Sequence, residues 1–275
     1  MNYFSPAKIN LFFRVLRKRS DGYHEIASLI QAIDLFDVLS VEEHSRDQLT
    51  CSESTLPCDE TNLVMKALNL FREHYEFSSV HIHLEKRVPM QSGLGGGSSN
   101  AATILWALNE KIGCRANLSE LALMGARLGS DVPFFFSLGS AYCTGRGEIV
   151  EPFSISPITG YLAKPSFGLS TPLVYRETRV NELANNDPIR ARDSFLSFHP
   201  QYFNDLEPAA FRIESRLSHF KQRLLSCRFS DVTMTGSGSA FFCINGQDLC
   251  PDIQFIPFRS LVRSPSSWYG SCTMQ

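Results

Sequence analysis

From Ser5 to Leu16 apolar and polar side chains alternate, which predicts a strand with Lys8, Asn10 and Phe12 on one face and Ile9, Leu11 and Phe13 on the other. The same period of two returns where Val80, Ile82, Leu84 and Val88 alternate with His81, His83, Glu85 and Lys86, the pattern of a half-buried strand. Ile33 to Val41 also reads as a strand. Helical spacing covers Asn62 to His74, then Asn100 to Leu108 with Gly113 as a stop signal. It returns over Leu118 to Leu128, with Ser119 and Glu120 in the first turn and Gly129 as its cap. Strand and helix patterns follow one another without regular βαβ alternation, so the expected class is α+β rather than a doubly wound sheet. The composition loosens between Pro152 and Pro157, which predicts two domains, residues 1–150 and 151–275.

Between the strand at Val80 and the helix at Asn100 lies PMQSGLGGGSSNAA, Pro89 to Ala102, with four glycines in five positions. Glycine weakens helix and strand interiors, so such a run belongs where backbone approaches something closely. A strand, a glycine loop and a helix N-terminus bring free N–H groups and the positive end of the helix dipole to one place, which suits a phosphate. The loop is not a Walker A sequence, because the chain contains no Gly-Lys pair. Nor is it a dinucleotide fingerprint: counting from Gly93 and Gly95, the third glycine position holds Ser98, and Glu120 opens a helix rather than ending a strand. A second glycine turn, Thr235 to Gly238 within VTMTGSGSAFF, is suited either to phosphate or to a tight hairpin.

The 275 residues are 43% apolar and 20% charged with a net charge of −2, which describes an ordinary globular protein without the electrostatic footprint of a nucleic-acid or membrane binder. No apolar run reaches the roughly 18 residues of a membrane span, and the N-terminus lacks a secretory signal, so a cytoplasmic location is expected. The eight cysteines form no CxxC pair and are read as reduced thiols. His81 and His83 share a polar strand face without other metal-ligand signals, and no metal site is assigned. Arg14, Arg17, Lys18 and Arg19 read as a solvated face, and Arg263 to Gln275 as an irregular, mobile tail.

Some polar residues invite a chemical reading. Lys8 and Asn10, two apart on one strand face, either converge on an anionic or sugar-like substrate or form a solvated edge. Tyr23 and His24, just after the Asp21-Gly22 turn, suit a planar base or plain packing. Asp131, fixed ahead of Val132-Pro133 and beside an apolar Phe run, is a candidate general base or a turn residue.

Taken in order, SPAKINLFF, DGYHE, PMQSGLGGGSSNAA, GSDVPFF and TMTGSGSAFF resemble the GHMP small-molecule kinases, from Ser5 to about Phe242. The SPAKIN and DGYH pair is narrower and resembles the branch acting on diphosphocytidyl methylerythritol. The resemblance implies a two-domain α+β fold with its active site in the inter-domain cleft. It also implies ATP and Mg²⁺ as cofactors, the small-molecule diphosphocytidyl substrate as partner, and a monomer or weak homodimer. Carried over by position, Asp131 is the catalytic base and Lys8 its partner. The ATP phosphates fall to Pro89, Met90, Gln91, Ser92, Gly93, Leu94, Gly95, Gly96, Gly97, Ser98 and Ser99. The substrate falls to Asn10, Tyr23, His24, Thr171 and Tyr175. Gln91 and Ser92 stand where relatives often carry small residues. The alternatives are a homoserine- or mevalonate-type kinase, against which the Tyr23-His24 pair argues, or a non-catalytic nucleotide-binding module, against which Lys8 and Asp131 argue.

Overall fold

The computed structural model describes residues 1–197, 199–246 and 249–263. Strand β1, Asn2–Lys18, pairs antiparallel along nearly its whole length with β2, His24–Glu43. The first nine residues of β2 are buried almost without interruption, so they show no period of two, and only the later part of this long strand was legible from alternation. Beyond β2 come β4, Val80–Glu85, and the short β3, Gln48–Cys51; β5, Ser140–Gly145, pairs with the first half of β2 and with β6, Ile149–Pro152.

Three helices cover this sheet: α1, Leu63–Arg72, α2, Gly96–Lys111, and α3, Leu118–Leu128. Asn62 caps α1, accepting a hydrogen bond from the Val64 N–H. At α3 Asn117 and Glu120 form a reciprocal capping box and Gly129 closes the helix, which explains why its bounds were readable. Phe71, Ile82, Leu105 and Phe134 belong to the core between the helices and the sheet.

A second sheet follows in the order β11, β7, β10, β9: Phe255–Arg259, Thr159–Ala163, Phe241–Ile244 and Asp231–Met234. Helices α4, Thr171–Arg176, α5, Pro188–Ser194, α6, Glu207–Ile213, and α7, Arg216–Ser226, accompany it. The two sheets share a core in which Ile9, Leu11 and Phe12 of β1 pack with Leu162, Phe242 and Phe258. A two-residue strand, β8 (Phe203–Asn204), returns from the second half of the chain to pair with β1.

Several expectations are corrected. A bulge in β1 between Asn10 and Phe12 inserts Leu11, so Phe12 leaves the Lys8 and Asn10 face and joins the apolar core. The solvated-edge reading of Lys8 and Asn10 fails, since both are buried. Arg14 is not on a solvated face: it pairs with buried Asp205 at 2.6 Å. Cys227 and Cys250 form a disulfide between the end of α7 and the segment before β11, a pairing that sequence spacing alone does not specify. No described helix is long and apolar enough to cross a membrane. The expected mobile tail lies, apart from Arg263, outside the described residues.

Candidate active site

A cleft of about 1170 Å³ opens where the glycine loop, the end of β1, the start of β2 and the second sheet's Thr235–Gly238 turn meet. Its floor is Lys8. The Lys8 Nζ donates to Asn10 Oδ1 at 2.6 Å and stands 3.6 Å from Asp131 Oδ2. That separation is an ion pair without a hydrogen bond, so the half-exposed carboxylate remains able to accept one from a bound hydroxyl. Asn10 Nδ2 donates in turn to Ser28 Oγ at 2.8 Å, and Ser28 Oγ donates to the Phe12 carbonyl at 2.6 Å. Asn10 therefore does not line the cleft; it fixes Lys8 from behind. Gly236 crosses over the pair so closely that a Cβ there would lie 3.1 Å from Lys8 Nζ.

The glycine loop is clamped on both sides. Lys8 N donates to the Leu94 carbonyl at 2.9 Å, and Ala240 N to that of Ser92 at 3.1 Å. Gly93 and Gly95 adopt φ of +77° and +71°, and a Cβ on Gly93 would lie 2.0 Å from the Thr235 carbonyl oxygen. Helix α2 starts with Gly95 as its N-cap and has no side-chain cap, and its first internal hydrogen bond runs from Ser99 N to Gly95 O. The N–H groups of its first turn thus lack intrahelical acceptors beside the cleft. Pro89 through Ser98 all line it, whereas Ser99 is buried behind, accepting from Ser5 Oγ at 2.8 Å. Buried Asp37 braces the loop's entry, accepting from Val88 N at 2.8 Å, from Asn100 Nδ2 at 2.9 Å and from Lys86 Nζ.

Opposite the loop, Tyr23, His24 and Tyr175 border one end of the cleft. The His24 and Tyr175 rings lie 5.4 Å apart, while Tyr23 is 54% exposed with the Arg146 guanidinium 4.9 Å from its ring centroid. Burial, and secondarily the charge of Lys18, holds the His24 imidazole below its ordinary value, favouring the neutral ring. Burial, helped by the charge of Asp131, pushes the Tyr175 hydroxyl up, so it stays protonated. Thr171 Oγ1, at the start of α4, lies 2.7 Å from Ser237 Oγ in the turn between β9 and β10.

Sequence reasoning missed Arg146, Ser237 and the wall formed by Thr55, Leu56 and Pro57. The Thr-Gly-Ser-Gly turn was a signal for Ser237; Gly145 and Gly147 around Arg146 look like any hairpin; the wall carries no signature. Among the described residues no group of three or more His, Cys, Asp or Glu could hold a metal, and Asp131 is the carboxylate that lines the cleft.

Residues 62–139 match the family described as GHMP kinases N terminal domain. The chain is 46% identical over 273 residues, 98% of its length and 92% of the relative's, to the 4-diphosphocytidyl-2-C-methyl-D-erythritol kinase of Protochlamydia amoebophila. A crystal structure of 4-(cytidine 5'-diphospho)-2C-methyl-D-erythritol kinase superposes with a TM-score of 0.80 at 34% identity, covering 95% of this chain and 99% of that one. Homoserine kinase from Cytophaga hutchinsonii, at 17% identity and a TM-score of 0.66 over 98% of this chain and 96% of its own, shares the fold. The chain belongs to the 4-diphosphocytidyl-2-C-methyl-D-erythritol kinase family of the GHMP kinases, with their two-domain α+β fold.

Proposed function

We propose that this protein transfers the γ-phosphoryl group of ATP to the 2-hydroxyl of 4-diphosphocytidyl-2-C-methyl-D-erythritol, a step of non-mevalonate isoprenoid precursor synthesis. The observation that carries the mechanism is Asp131 beside Lys8, within one cleft with an uncapped helix N-terminus. Phosphoryl transfer needs alignment and charge stabilisation more than covalent chemistry. The loop from Pro89 to Ser98 and the first-turn N–H groups of α2 hold the ATP phosphates, the dipole and backbone donors doing what a Walker lysine does elsewhere. Asp131 accepts the proton of the 2-hydroxyl, whose oxygen attacks the γ-phosphorus as ADP leaves. Lys8, held by Asn10, sets a positive charge beside the carboxylate and the attacking oxygen.

Tyr23 and Tyr175 offer ring faces to the cytosine, and the neutral His24 offers one donor and one acceptor to its edge. Thr171, tied to Ser237, faces the substrate from the second domain. The donor set suits Mg²⁺ carried mainly by phosphate oxygens, with Ser98 as the adjoining hydroxyl, since such ions keep waters and take few protein ligands. When bound, the ion neutralises charge on the transferring group.

Steady-state ADP release with ATP, Mg²⁺ and each of the diphosphocytidyl substrate, homoserine and mevalonate tests the assignment. Turnover is expected with the first alone; turnover with homoserine or mevalonate instead would overturn the roles given to Tyr23, His24 and Tyr175.

A further inference from the structure

The cleft contains a cation that neither the phosphate loop nor the catalytic pair uses. Arg146 occupies the turn between β5 and β6, where Gly145 at φ +72° and Gly147 at φ +116° permit a tight reversal. Glu148 fixes its orientation: Arg146 N donates to Glu148 Oε2 at 2.5 Å and Nε to Oε1 at 3.4 Å. This turn touches both ends of the substrate-binding half of the cleft. A Cβ on Gly147 would lie 3.7 Å from Asp131 Oδ1, and the Arg146 guanidinium sits 4.9 Å from the centroid of the Tyr23 ring. The side chain is 31% exposed and lines the cleft.

We propose that Arg146 grips the diphosphate of the substrate and is a specificity-determining residue for this reaction. The inference rests on the functional reading above. In a diphosphocytidyl polyol the diphosphate is covalently placed between the base and the reacting hydroxyl. With the base at Tyr23 and the hydroxyl at Asp131, the diphosphate passes the turn that adjoins both. Lys18 and Arg176 also border the cleft, and Lys18 acts on the His24 ring, whereas the Arg146 turn lies beside Asp131 as well as Tyr23. A guanidinium is suited to the task because its planar fork meets phosphate oxygens in pairs while its face rests on an aromatic ring. Glu148 and Asp21 offset part of the charge, yet Glu148 engages Nε and Arg146 itself lines the cleft. Homoserine and mevalonate carry no diphosphate for this group to read.

The test compares wild type with Arg146→Met and Arg146→Lys. Loss of a charge-assisted hydrogen bond predicts that Arg146→Met raises KM for the diphosphocytidyl substrate about tenfold or more, with kcat and KM for ATP held within about twofold. Arg146→Lys keeps the charge without the fork, so it recovers part of the loss. As competitive inhibitors, CDP weakens in Arg146→Met and cytidine does not. A substrate KM within about twofold of wild type in Arg146→Met overturns the proposal, as does equal weakening of CDP and cytidine, which would reduce Arg146 to a prop for Tyr23. Should Arg146→Met fail to accumulate as folded protein, Arg146→Lys carries the same comparison: a selective rise in substrate KM supports the proposal and an unchanged one overturns it. Wild type that releases no ADP with the diphosphocytidyl substrate is a separate result and overturns the functional reading itself.

Discussion

Lys8 is confined on every side: Asn10 accepts its proton-bearing end, Gly236 closes over it, and Asp131 faces it across 3.6 Å. Its burial was not legible, because the alternation left a solvated strand edge open, and its pairing with Asp131 was expected only from the family resemblance. The role of Asn10 was not legible either, because the bulge after it cannot be seen in an alternating pattern, and its side chain turns back to Lys8 and Ser28. His24 carries a residue-scale prediction. Its folded-state value is depressed by burial and then by Lys18, so the unfolded chain binds a proton that the native ring resists. This contribution to stability is fully present above the ordinary histidine value of 6.5 and is lost as pH falls from there through the depressed native value. Thermal unfolding followed between about pH 5 and 8 is expected to show an acid-side decline that His24→Gln makes shallower. Parallel curves for the two proteins would show that His24 does not titrate in this way.

Among the elements, α3 and the strand before the glycine loop were readable because their signals are local: a capping box, a closing glycine, an alternation. The glycine loop could be singled out as a candidate phosphate site, but not the reason each glycine is needed. Gly93 has a left-handed φ and lies against the Thr235 carbonyl, whereas Gly22, at φ +87°, has open space around it. Gly22→Ala should therefore cost only the left-handed penalty of about 1–2 kcal/mol. Gly93→Ala adds a backbone clash and must displace the loop from the second domain, so a loss of roughly 3 kcal/mol or more is expected, together with a raised KM for ATP. Denaturant unfolding and ATP titration check both; equal losses for the two variants would mean that the contact with Thr235 does not hold the loop.

At the scale of the whole molecule, the cleft exists because two sheets share one core and β1 serves both. The class and the mixed order of elements were visible in the sequence, since they follow from periodicities. The assembly of the cleft was not: Lys8, Tyr23, Arg146, Thr171 and Ser237 are far apart in the chain, and long-range pairing such as the two-residue β8 leaves no sequence pattern. The Cys227–Cys250 disulfide was missed for the same reason. This assembly is expected to direct the γ-phosphoryl group to one hydroxyl, with Asp131 as its base. Phosphorus-31 NMR of wild type with ATP, Mg²⁺ and the diphosphocytidyl substrate should show a new phosphomonoester coupled to carbon 2 of the methylerythritol unit. Asp131→Asn should slow its appearance by about 10²–10⁴-fold. Inorganic phosphate accumulating beside unchanged substrate, a phosphate on another hydroxyl, or an Asp131→Asn variant as fast as wild type would contradict the account.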